Sequence, residues 1–252
     1  MPTGLPEFQM FFADHIVGVM VCIIAPLLVV GTRTLSDADV SFSGEEKIRL
    51  YHQNGLFLTV IALVVVTVWR LPARSLTALG FAWPEWSAAA GYVLGAAVLL
   101  YAADLLAQYG WRTRRNQARE DFRRGAGVIL PTNNLELGHF FFLSMAAGVG
   151  EEIIFRGFLL HYLTFWFGHS LTETAAAALV SSAVFAYLHG YQGWVAMVKI
   201  FFLALLFAAL FVLTRSLWPV IILHTLIDML SGWLGVRLVR TTEDGQSPGD
   251  AP

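Results

Sequence analysis

Apolar residues fall in runs of about 20, the length that crosses a bilayer as a helix, and short polar stretches part them. The runs predict helices over residues 11–31, 55–71, 86–108, 135–166, 172–189, 193–214 and 217–236, with ends good to about 2–4 residues. The fourth run is longer than one crossing needs. Pro72 and Pro84 break the connector that follows the second run. Pro131-Thr132-Asn133-Asn134 supplies a breaker and an N-cap ahead of the fourth. Gly148 and Gly150 are expected to bend that helix. Polar connectors are expected over 32–50 and over the arginine-rich 111–125, and a disordered tail over 241–252. The fold class is all-α: a polytopic membrane helix bundle of seven to eight transmembrane helices, forming a single integral-membrane domain over 1–240. No internal repeat is visible.

Composition sharpens this. Hydrophobic residues make up 57% and charged residues 13% of 252, against about 45–50% and about 25% in soluble domains. So few charges cannot cover a soluble surface, and disorder, a collagen-like chain and a disulfide scaffold are excluded as well. The net charge of −2 gives no reason to expect nucleic acid as a partner. The lipid bilayer is the partner expected instead. The single cysteine, Cys22, permits no intrachain disulfide. Before the first apolar run stand Glu7 and Asp14 but no Lys or Arg, so that helix is expected to be retained rather than cleaved as a signal peptide. If the 111–125 loop is cytoplasmic, the 32–50 loop and the C-terminus share its side, and Arg70, Arg74 and Arg215 fall on the other.

Against this background a few polar residues stand out, because a charge at a helix centre costs about 2.5–3.5 kcal/mol on insertion scales. The fourth helix carries Glu151-Glu152-Ile153-Ile154-Phe155-Arg156. Glu152 and Arg156 are i,i+4 and can pair along one face, which leaves Glu151 without an intrahelical countercharge and suited to general-base work. The fifth helix closes on Phe185-Ala186-Tyr187-Leu188-His189, and the seventh carries His224-Thr225-Leu226-Ile227-Asp228. One carboxylate and two imidazoles from different helices form a set suited to zinc or to water activation. Lys199 is expected to snorkel, and Asp104, His15, His52, His139, His161 and His169 to lie at interfaces or helix ends.

In order along the chain, Glu151-Glu152-x-x-x-Arg156, Phe185-x-x-x-His189 and His224-x-x-x-Asp228 resemble the signatures of one family. It is the CAAX-protease and bacteriocin-processing (CPBP, Abi) family of intramembrane peptidases. Ser216-Leu217-Trp218-Pro219 is similar to the family's lead-in to its last histidine helix, and the resemblance covers residues 138–232. It implies a multi-pass position in a bacterial cell membrane and an endopeptidase acting on a membrane-anchored peptide or protein, of prenylated or bacteriocin type. It also implies roles: Glu151 activates water, His189 polarises or holds it, and His224 with residue 228 stabilises the oxyanion. Glu152 and Arg156 shape the site. A metal, if used, would be Zn2+ on Glu151, His189 and His224. The family commonly has Asn at the position of Asp228, and an ionised Asp cannot donate to an oxyanion, so Asp228 is expected to orient His224 or to bind metal.

Two other classes compete. One is a non-catalytic membrane immunity or assembly factor that keeps the peptidase fold. The other is a proton or ion transporter, which would string polar groups across the bilayer and favour inverted repeats. The peptidase reading requires Glu151, His189 and His224 to share one cavity. Because His189 ends its helix while His224 lies two turns into its own, it also requires a short or deeply starting fifth helix.

Overall fold

The computed structural model describes residues 5–30, 42–109 and 129–243, and every long element among them is helical. Seven helices among the described residues are long and apolar enough to cross a membrane. We number the elements α1 (Phe12–Val29), α2 (Gly44–Arg70), α3 (the single turn Leu76–Leu79), α4 (Ala88–Tyr109), α5 (Asn134–Phe167), α6 (Leu171–Leu188), α7 (Trp194–Thr214) and α8 (Trp218–Glu243). The arginine-rich 111–125 stretch lies outside the described residues, as do residues 31–41 and the tail from 244.

Two boundaries differ from the sequence reading. Helix α2 starts at Gly44, so the end of the expected 32–50 connector is helical. The cause is a capping box: the Ser43 hydroxyl accepts the Glu46 N–H, and the Glu46 carboxylate accepts the Ser43 N–H at 2.8 Å. At the other end of the chain, α8 continues through residues 241–243, which the sequence reading assigned to the tail.

Helix α5 is the axis of the bundle. On one side it runs along α2, with Tyr51 against Phe140 near one end and Trp69 against His161 near the other. On another side it meets α8. The glycines expected to bend α5 are points of close approach. A Cβ on Gly148 would meet the backbone nitrogen of Thr225 at 3.1 Å, and one on Gly150 would meet the carbonyl oxygen of Leu58 at 3.2 Å. Small residues let membrane helices close on one another in this way. Asn133 caps α5 by accepting the Glu136 N–H, and the buried Glu136 carboxylate is met by Thr132, Asn133 and Lys47.

Several polar residues prove to be paired rather than interfacial. Arg74 is buried and donates to both carboxylate oxygens of Asp14 on α1, with its guanidinium 4.7 Å from the Trp69 ring centroid. Its partner accounts for an arginine on the side where the loop charges predict few. Arg70 donates to the Arg74 carbonyl, and Arg215 feels the attraction of Glu85. Lys199, expected to snorkel, keeps 45% of its side chain exposed and reaches Asp104, near the end of α4, in an ion pair of 2.5 Å. His161, expected at an interface, is buried among Phe8, Trp69 and Phe211.

The Asp14–Arg74 pair ties the first helix to the loop after α2. Removing one partner of such a pair strands the other charge, at a cost of about 3–5 kcal/mol. Asp14→Ala should therefore lower the unfolding temperature in detergent markedly. An unchanged transition would mean that α1 is held by its apolar face alone.

Candidate active site

Glu151 lies about 26 Å along α5, close to the middle of a helix about 51 Å long. Immediately after Glu152 the helix widens into a π-helical stretch, Ile153–Leu159, a distortion often found at functional sites. All of its side chains are buried. The Ser181 hydroxyl of α6 donates to the Phe155 carbonyl here at 3.3 Å, and the Phe155 and Phe185 rings meet edge to face at 4.9 Å.

Glu152 has no exposed surface. Its Oε1 accepts from Arg156 at 2.9 Å and from His224 Nδ1 at 2.7 Å. Arg156 spends a second N–H on the Ala204 carbonyl at 3.2 Å and packs against the Phe185 and Phe207 rings, 4.7 and 5.5 Å from their centroids. The i,i+4 pair read from the sequence is thus present, and it is joined by a histidine from α8 that sequence spacing could not supply.

Glu151 faces the other way. Its Oε2 is buried and has no hydrogen-bond partner among the described residues. His189 Nε2 stands 3.9 Å from it and His224 Nε2 stands 3.8 Å from it. The other ring nitrogens fix the tautomers. His189 Nδ1–H donates to the Phe185 carbonyl at 2.8 Å, and His224 Nδ1–H donates to Glu152. Both Nε2 atoms are therefore turned toward one carboxylate oxygen. Separations near 3.8 Å are too long for direct hydrogen bonds and leave room for an oxygen atom to bridge.

Asp228 Oδ2 lies 3.8 Å from His224 Nε2. Its side chain is 31% exposed, against 14% for Glu151, 18% for His189 and 12% for His224, so the cluster opens on the Asp228 side. All six residues singled out in the sequence, Glu151, Glu152, Arg156, His189, His224 and Asp228, are brought to this one place. Among the described residues no group of three or more His, Cys, Asp and Glu side chains stands ready-made to hold a metal ion.

The register problem posed by His189 and His224 is solved by the length of α5. Both α6 and α8 run antiparallel to it. His189 lies about 27 Å along α6, whereas His224 lies about 9 Å along α8. The α5–α6 hairpin therefore extends beyond the start of α8, and both histidines arrive level with Glu151. Helix α6 ends there. The chain reverses through the turn Gly190–Gln192 and Gly193, whose φ of +92° suits glycine. The lead-in to α8 is pinned by Ser216, whose hydroxyl donates to the Ala82 carbonyl at 2.7 Å, and by the Leu217 N–H, which donates to the Gly80 carbonyl at 2.8 Å.

Sequence reasoning missed two neighbours. Phe207 of α7 lies against both Arg156 and His224, its ring 6.0 Å from the latter's. Tyr191 stacks on His189 with centroids 6.1 Å apart. Burial pushes its phenol up to about 12, and the Glu151 and Asp228 carboxylates add to the rise. An aromatic residue in an apolar chain carries no signal of its own. Only the adjacency to His189 could have marked Tyr191.

Residues 133–230 match the family model described as type II CAAX prenyl endopeptidase Rce1-like. No curated protein and no solved structure matches the chain.

The buried chain of Arg156, Glu152 and His224 makes a stability prediction. Arg156→Leu alone leaves the buried Glu152 charge with only the His224 Nδ1–H as partner and should cost about 3–5 kcal/mol. Adding Glu152→Leu removes that charge, so the double variant should regain most of the lost unfolding temperature in detergent. If the double variant is less stable than Arg156→Leu, the pair is not the unit described.

Proposed function

We propose that the chain is an intramembrane endopeptidase working through Glu151, a reading supported by the match of residues 133–230 to the Rce1-like type II CAAX prenyl endopeptidase model. The substrate is the C-terminal segment of a membrane-associated protein, prenylated or bacteriocin-like, and the host is a bacterial cell membrane. The observation that carries this reading is the meeting of two imidazole Nε2 atoms from α6 and α8 at one buried, unpartnered carboxylate oxygen of α5.

The chemistry follows from the donors and acceptors. A water between Glu151 and His189 gives one proton to Glu151 Oε2, and His189 Nε2 accepts its second hydrogen and aims the oxygen lone pair. The oxygen attacks the peptide carbonyl carbon, and the carbonyl electron pair moves onto the oxygen. His224, as an imidazolium held at Nδ1 by Glu152 and oriented by the Asp228 carboxylate, turns its Nε2–H to that oxyanion. The tetrahedral intermediate collapses, the C–N bond breaks, and Glu151 returns its proton to the leaving amine. The donor types of Glu151, His189 and His224 also suit Zn2+, which when bound would polarise the carbonyl.

The test is a cleavage assay on protein reconstituted in lipid vesicles, with prenylated and unprenylated C-terminal peptides, with and without chelator. Cleavage is expected to fall by about 10²–10⁴-fold in Glu151→Ala and in His189→Ala. Cleavage that survives undiminished in Glu151→Ala refutes the assigned base. Absence of cleavage by the unaltered protein on either peptide removes this substrate reading. Sensitivity to chelator assigns the zinc-loaded form, and indifference assigns the water-only form.

A further inference from the structure

Most donors around Glu151 are already committed. Arg156 is spent on Glu152 and on the Ala204 carbonyl. His189 spends Nδ1–H on the Phe185 carbonyl, and His224 spends Nδ1–H on Glu152. Asp228, as a carboxylate, can only accept. An oxyanion that forms when water attacks needs donors set in place beforehand, and such sites commonly offer more than one. The proposed function assigns one, His224 Nε2.

Tyr191 is placed to be another. It sits in the turn Gly190–Gln192, directly after His189, so the histidine and the tyrosine are held by the same few backbone atoms. Its ring lies on the His189 ring with planes 30° apart. Its hydroxyl oxygen accepts an N–H from Gln192 Nε2 at 3.1 Å, which occupies an acceptor site and leaves the hydroxyl proton free to donate. The hydroxyl also lies within the field of Glu151 and Asp228, the carboxylates on either side of His224 Nε2.

We infer that Tyr191 is a catalytic residue of this site, donating its hydroxyl hydrogen bond to the tetrahedral oxygen beside His224. The inference rests on the proposed function and adds a donor to it. Tyr191 keeps its proton throughout: the attacking oxygen bonds to carbon, the carbonyl electron pair becomes the oxyanion, and the proton released by water travels through Glu151 to the leaving nitrogen. Gln192 is a positioning residue that fixes the hydroxyl rotor.

Tyr191→Phe keeps the ring that packs on His189 and deletes only the hydroxyl. The measurement is steady-state cleavage by the full chain in vesicles, together with binding of a peptidyl phosphonate that mimics the tetrahedral oxygen. The expected result is a kcat lower by about 10²–10³-fold, which is the usual cost of losing one oxyanion donor, with KM and unfolding temperature unchanged. Phosphonate binding should weaken in parallel. A kcat equal to that of the unaltered chain overturns the inference and leaves the proposed function standing. A raised KM or lowered unfolding temperature with kcat kept also overturns it, since that is what a packing role produces. Failure of the unaltered chain to cleave overturns the proposed function and this inference with it.

Discussion

A carboxylate with no exposed surface, set in the middle of a bilayer-length helix, must be met by donors from its surroundings. Glu152 is that carboxylate, and the site is arranged around its needs. Arg156 meets it from one turn along α5 and His224 meets it from α8. Arg156 is itself anchored to the α7 backbone and enclosed by aromatic rings of α6 and α7. The demand of one buried charge thus ties four helices together. It also fixes which nitrogen of His224 is left over, and the one left over faces Glu151.

Placing the pair side by side on α5 gives two carboxylates with opposite roles. Glu152 takes two charge-assisted bonds on Oε1 and serves as a fixed support, although its Oε2 has no hydrogen-bond partner among the described residues. Glu151, about 100° around the helix, has an oxygen with no hydrogen-bond partner among the described residues. Buried polar atoms are normally satisfied, and this one has two imidazole nitrogens turned toward it. The arrangement makes sense where a third molecule completes the bonds. Two imidazoles at 3.8 and 3.9 Å mark out the space for it.

Much of this was legible in the sequence, because a bilayer makes every ionisable residue conspicuous. The run lengths located seven helices, and the spacing of Glu152 and Arg156 predicted their ion pair correctly. What could not be read was anything that depends on two helices meeting. His224 is on the seventh span and Glu152 on the fourth, so their bond follows from packing alone. The histidine levels looked incompatible because helix count says nothing of how far a hairpin overshoots its neighbour. Gly148 and Gly150 stand out in the sequence, but that their missing side chains admit α8 and α2 follows only from the packing. His161 is the exception: a polar residue near a span end reads as facing water, and the structure encloses it in protein. The capping box at Ser43 was readable and went unread beneath the charges that follow it.

The central claim is that Glu151 and His189 act on the same water. Residues that act as one unit do not lose rate additively when they are removed together. The most direct measurement is therefore kcat for Glu151→Ala, His189→Ala and the double variant on one reconstituted substrate. The double variant is expected to be no slower than the slower single variant, within a few-fold. Losses that multiply to the full product of the two would show independent actions and contradict it.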